Sequence, residues 1–139
     1  MDISSIQGVS FGGAKFWTLI VDDYSGYCWS YFLKAKSELK EKVIDLINEL
    51  KNVKFLRVDD AGENFALEKQ CKQQNLNVKF EYTGPRTPQR NGKVERKFQT
   101  LYGRIRAMFN DAGIEGDFCK GLWAECASTA TYYENIIIS

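Results

Sequence analysis

Two runs of aromatic and β-branched residues, Lys15–Val21 (KFWTLIV) and Tyr27–Leu33 (YCWSYFL), flank the turn-forming stretch Asp22-Asp23-Tyr24-Ser25-Gly26. Side chains of these types suit a pleated, half-buried surface, so the segment reads as a β-hairpin. Asp2–Gln7, ahead of Gly12-Gly13, reads as the remains of another strand. The hydrophobic period then changes. Leu39, Val43, Leu46, Ile47 and Leu50 recur at helical spacing, with Ser37 offering an N-cap. Val53–Val58 is a short strand ending at Asp59-Asp60, and Asn64–Gln74 a helix with Phe65, Leu67 and Cys71 facing inward. Val78–Tyr82 is a further strand. An early hairpin followed by alternating strands and helices predicts an α/β fold, a mixed sheet covered by helices.

The second half opens with TGPRTPQRNG, which holds both prolines of the chain. Proline fixes φ and disfavours helix in the residue before it, so this is a loop of about ten residues, longer than most connections. Val94, Phe98, Leu101, Ile105 and Met108 then mark an amphipathic helix that ends near Asp111-Ala112-Gly113. A last helix spans Gly116–Tyr133, with Phe118, Leu122, Cys126 and Ala130 inward. At 139 residues the chain is one domain, 1–139.

Charge is unevenly placed. Residues 1–83 carry a net −1 and residues 107–139 a net −4, whereas 84–106 hold seven basic side chains against Glu95 alone, a net +6. Such a segment is either a solvated helix face or a polyanion site. The chain contains no histidine, which excludes Ser-His-Asp and Cys-His nucleophiles and every His-containing zinc site. Cys28, Cys71, Cys119 and Cys126 form no C-x-x-C pair and read as reduced thiols of an intracellular protein. No apolar run approaches the roughly 18–20 residues of a membrane span, and no signal peptide is evident.

Chemistry therefore falls to the carboxylates. Asp59 closes the fourth strand, where open α/β sheets place ligands, although Asp60-x-x-Glu63 also suits a capping box. Glu95 lies about 100° from Val94, at the edge of the buried stripe, where it can lean toward a sheet edge or act as a first-turn acid favoured by the helix dipole. Together with Asp2, these acids offer oxygen ligands for hard cations, and two such ions can serve an attacking and a leaving phosphate oxygen. Asp22 and Asp23 read as turn acids, and Trp17, Trp29 and Trp123 as core.

The segment Thr87-Pro88-Gln89-Arg90-Asn91-Gly92-Lys93-Val94-Glu95-Arg96 resembles the T-P-Q-x-N-G-x-x-E-R signature of retroviral and retrotransposon integrase catalytic cores. Thirty-five residues separate Asp59 from Glu95, the D,D-35-E spacing of that family. Val21-Asp22-Asp23-Tyr24-Ser25, Tyr31-Phe32-Leu33-Lys34, Leu56-Arg57-Val58-Asp59-Asp60-Ala61-Gly62-Glu63 and Leu122-Trp123-Ala124-Glu125 narrow the likeness to the Ty1/copia branch. The resemblance implies an RNase H-like fold with a five-stranded mixed sheet. It implies a polynucleotidyl transferase that trims cDNA ends and joins them to target DNA, with Asp2, Asp59 and Glu95 as catalytic ligands of Mg²⁺ or Mn²⁺, two ions in all. Gln89, Asn91 and Gly92 become a loop that approaches DNA. To these we add Arg86, Arg90, Lys93 and Lys97 as phosphate contacts.

The resemblance further implies homo-oligomers, and a nuclear site of integration with cytoplasmic particles. Only Met1 precedes Asp2, whereas the family sets this aspartate inside its first strand. The expectation is a truncated strand in a fragment, an isolated domain or a decayed or domesticated copy, without the flanking zinc, DNA-binding and reverse-transcriptase regions of a polyprotein. A catalytically silent nucleic-acid-binding module of the same fold is the alternative. An RNase H-like nuclease fits less well, since it normally shows a fourth acid.

Overall fold

The computed structural model describes residues 1–84 and 91–138. Its strands are β1 (Asp2–Ser5), β2 (Phe16–Val21), β3 (Cys28–Leu33), β4 (Phe55–Asp59) and β5 (Lys79–Thr83). The helices are α1 (Leu39–Leu50), α2 (Gly62–Gln73), α3 (Gly92–Ala112) and α4 (Asp117–Ile138). The fold is α/β, as the alternation of periods predicts. The described strands form two ladders, however, not the single five-stranded sheet expected. One is antiparallel in the order β1-β2-β3, and the other pairs β4 with β5 in parallel. Between them the terminal ammonium of Met1 donates to the Arg57 carbonyl at 2.8 Å.

Helices cover both faces of the antiparallel ladder because β2 is apolar on both sides. Trp17 and Leu19 pack with Val94, Phe98 and Leu101 of α3 and Trp123 and Ala127 of α4. Ile20, with Leu33, packs on the opposite side with Val43 and Ile47 of α1 and Leu67 of α2. Alternate strand residues point to opposite faces, so one strand feeds two cores. Trp17 is fully buried and meets Phe98 edge-on at 5.0 Å between centroids.

Several local expectations are corrected. Ser37 caps nothing: it lies in a 3₁₀ turn, Lys36–Glu38, and α1 begins without a side-chain cap. The capping box at Asp60 and Glu63 does not form, since Ala61 is the N-cap of α2 and Glu63 pairs with Lys36 at 3.3 Å. Phe65 faces outward at 51% exposure, stacked on Tyr82, and Asn64 is buried in its place. Phe118 is exposed against Phe11. The last helix runs to Ile138 because Glu134 and Asn135 anchor it, the latter bonding both the amide and the carbonyl of Cys28. Gly113 ends α3 in the left-handed conformation, as expected. Among the described residues no helix is long and apolar enough to cross a membrane.

Candidate active site

Three elements contribute one predicted acid each. Asp2 opens β1 opposite Leu19, Asp59 closes β4 opposite Thr83, and Glu95 sits in the first turn of α3, one residue after buried Val94. Asp2 is half-buried and its Oδ1 accepts from the Ile3 amide at 2.8 Å. Burial pushes its carboxyl above the ordinary aspartate range, and the negative charges of Asp59 and Glu95 push it further. These acids, 57 and 36 residues apart along the chain, stand on β1, β4 and α3. The oxygen donors suit a hard cation in kind, and their mutual repulsion is what a bound cation would relieve. Among the described residues, no three acids or cysteines are grouped closely enough to hold a metal ion as they stand.

Two neighbours complete this end of the sheet. The Tyr102 hydroxyl lies 3.2 Å from Ser4 Oγ. Burial raises its phenol, and the charge of Asp2 adds to the effect. The Asn64 amide nitrogen donates to Asp59 Oδ1 at 2.7 Å and to the Asp59 carbonyl at 3.2 Å. Asp59 is therefore no helix cap; its side chain is held by the helix that follows it.

The predicted nucleic-acid contacts divide. Arg86, Gln89 and Arg90 lie outside the described residues. Asn91 is the N-cap of α3 without a side-chain cap bond, and a Cβ on Gly92 would come within 3.1 Å of Arg96 Nη1. The Lys93 ammonium donates to the Asp23 carbonyl and lies 3.7 Å from the Asp23 carboxylate, tying α3 to the β2–β3 turn. Asp22 is the turn acid expected, accepting from the Ser25 amide at 2.9 Å and hydroxyl at 2.6 Å. Asn91 and Lys93 also line a cavity of ≈350 Å³ whose walls include Met1, Ile20, Leu46 and Leu56.

Lys97 turns inward. Its ammonium meets Glu134 Oε1 at 2.7 Å, and Arg104 meets Oε2 of the same carboxylate at 2.7 Å. Hydrogen bonding from Lys97, with both cationic charges, holds Glu134 below the ordinary glutamate range despite its burial. Sequence reasoning missed Glu134 and Asn64. Glu134 continues the four-residue stripe 118, 122, 126, 130, so extending that helix by one turn would have found it.

No protein-family model matches the chain. The retrovirus-related Pol polyprotein of transposon TNT 1-94 from Nicotiana tabacum is 32% identical over 132 residues, covering 91% of this chain and 10% of that polyprotein. Those of transposons RE1 and RE2 from Arabidopsis thaliana are 29% and 26% identical, each over 96% of this chain and 9% of the polyprotein. The chain spans about a tenth of the length of these curated relatives. Its fold is similar to a chain in the cryo-EM structure of the simian T-cell lymphotropic virus intasome in complex with PP2A regulatory subunit B56 gamma. The TM-score is 0.69 at 20% identity, over 94% of this chain and 45% of that one.

Proposed function

We propose that this chain, similar to retrotransposon Pol polyproteins, is an integrase core of Ty1/copia type, a metal-dependent polynucleotidyl transferase. It would process cDNA ends and join them to target DNA. What supports this reading is the likeness of nearly the whole chain to the retrotransposon Pol polyproteins, with Asp2, Asp59 and Glu95 carried on β1, β4 and α3. In this reading the two ladders are halves of one RNase H-like sheet, in the order β3-β2-β1-β4-β5. The Met1–Arg57 hydrogen bond supports that order by bringing β1 beside β4.

Asp2, Asp59 and Glu95 would hold the Mg²⁺ or Mn²⁺ ions, two in number. When bound, such ions activate the attacking oxygen and stabilise the leaving oxygen of an in-line displacement at phosphorus. The protein's own share is positioning. β1 and β4 present two acids on sheet strands, α3 presents the third, and Val94 and Phe98 anchor α3 in the core. Lys93 stands at the N-terminal end of α3, where a phosphate would also meet the positive end of the helix dipole. Arg86, Gln89, Arg90, Asn91 and Gly92 extend that surface in the same reading, and Lys97 supports it from within through Glu134. Two DNA ends must be brought together for such a reaction, so the working form would be a homo-oligomer acting in the nucleus.

The test is a disintegration assay on a branched DNA at low salt with Mn²⁺ or Mg²⁺, comparing the chain with Asp59→Asn. Metal-dependent joining that vanishes in the variant supports the reading. Equal joining by the variant, or none by a folded wild-type chain, refutes it. A second reading, a nucleic-acid-binding module without joining activity, is favoured by one observation. Among the described residues the acids are not grouped closely enough to hold a metal ion.

A further inference from the structure

Asn64 occupies an uneconomical place. It is 4% exposed, in the first turn of α2, at a position flanked by Phe65, which faces solvent. Its Oδ1 is buried with no hydrogen-bond partner among the described residues. A buried acceptor without a partner costs stability, and an apolar side chain of the same size would avoid that cost. Packing therefore does not account for an asparagine here. Its amide nitrogen does: one NH₂ group reaches both the carbonyl of Asp59 at 3.2 Å and Oδ1 of the same residue at 2.7 Å. A donor that bridges the main chain and side chain of one residue fixes the rotamer of that carboxylate. The helix N-cap, Ala61, has no side-chain group to do so.

We infer that Asn64 is a positioning residue that holds the Asp59 carboxylate in the orientation needed to take a divalent cation with Asp2. This rests on the reading of Asp59 as a metal ligand given above. Partners of this kind orient ligand oxygens, and their loss typically weakens metal binding by about 10- to 100-fold.

The experiment is Mn²⁺ binding to the full chain, followed by the electron paramagnetic resonance signal of free Mn²⁺, with thermal unfolding of each variant in metal-free buffer. Asn64→Leu keeps the volume and removes the donor, whereas Asn64→Thr keeps a shorter donor. The expected result is a loss of about tenfold in affinity for Asn64→Leu, with the variant still folded in metal-free buffer, and partial recovery in Asn64→Thr. Unchanged affinity in Asn64→Leu overturns the inference and leaves the metal site standing. Should Asn64→Leu fail to fold, affinity in Asn64→Thr equal to that of Asn64→Ala overturns it equally. Absence of Mn²⁺ binding by the wild-type chain removes the metal-ligand reading and this inference together.

Discussion

Glu134 offers the sharpest test of the packing. Its side chain is 8% exposed and carries two cations at 2.7 Å, Lys97 at 14% and Arg104 at 36% exposure. Removing one partner of a buried pair costs about 3–5 kcal/mol, because the remaining charge is stranded away from water. Arg104 reaches solvent and should add no more than the ~0–1 kcal/mol of a surface pair. Glu134→Gln should therefore destabilise the chain by about 3–4 kcal/mol, nearly all through Lys97. With a urea m-value of about 2 kcal/mol/M, the midpoint falls by roughly 1.5–2 M, followed by tryptophan fluorescence. The double variant Lys97→Met/Glu134→Gln removes the stranded ammonium and should be more stable than Glu134→Gln alone. A folded Glu134 with its carboxyl below the ordinary value of 4.5 contributes stability above that pH, lost as pH falls through the folded value. Wild type should show this acid-side loss and Glu134→Gln should lack its share. A cost below about 1 kcal/mol, or a double variant no better than the single, would refute the reasoning.

Other outcomes follow from the same structure. The Met1 ammonium, drawn from 8.0 down to about 6 chiefly by burial, binds its proton more weakly when folded. Stability should consequently rise by about 2 kcal/mol from pH 6 to pH 8 in urea titrations, and acetylation of the amine should abolish that rise. The Tyr82 hydroxyl donates to Glu68 at 2.8 Å, so Tyr82→Phe should cost about 0.5–1.5 kcal/mol by urea unfolding. Lys93→Ala should weaken DNA binding and lower the salt slope by about 1 in a fluorescence-anisotropy series, leaving stability nearly unchanged. Lys97→Ala should do the reverse, since its charge is committed to Glu134.

Much of this molecule is legible from period and spacing because its helices and central strands carry clear apolar patterns. The stripe Val94, Phe98, Leu101, Ile105 is buried as its spacing requires. Trp17 and Leu19 are likewise buried within a run apolar on both faces. What escapes is decided by polar partners that no periodicity encodes. Phe65 looks like the inward residue of α2 on hydrophobicity, yet Asn64 turns in because Asp59 offers it two acceptors, and Phe65 finds Tyr82 instead. Glu63 looks like part of a cap, yet Lys36 from a different segment claims it. Lys97 and Arg104 read as basic surface because the acid that neutralises them lies 30 or more residues away, on another helix. The proposed carboxylate trio is legible in spacing, whereas Asn64, which bonds one of its members, becomes visible only in three dimensions.

The central claim is that Asp2, Asp59 and Glu95 form one cation site. Anomalous diffraction from a crystal of the chain soaked in Mn²⁺ measures this most directly, with Glu95→Gln alongside. The account predicts an anomalous peak among the three carboxylates that weakens or disappears in the variant. A well-ordered wild-type site with no such peak, or an equal peak in the variant, would contradict it.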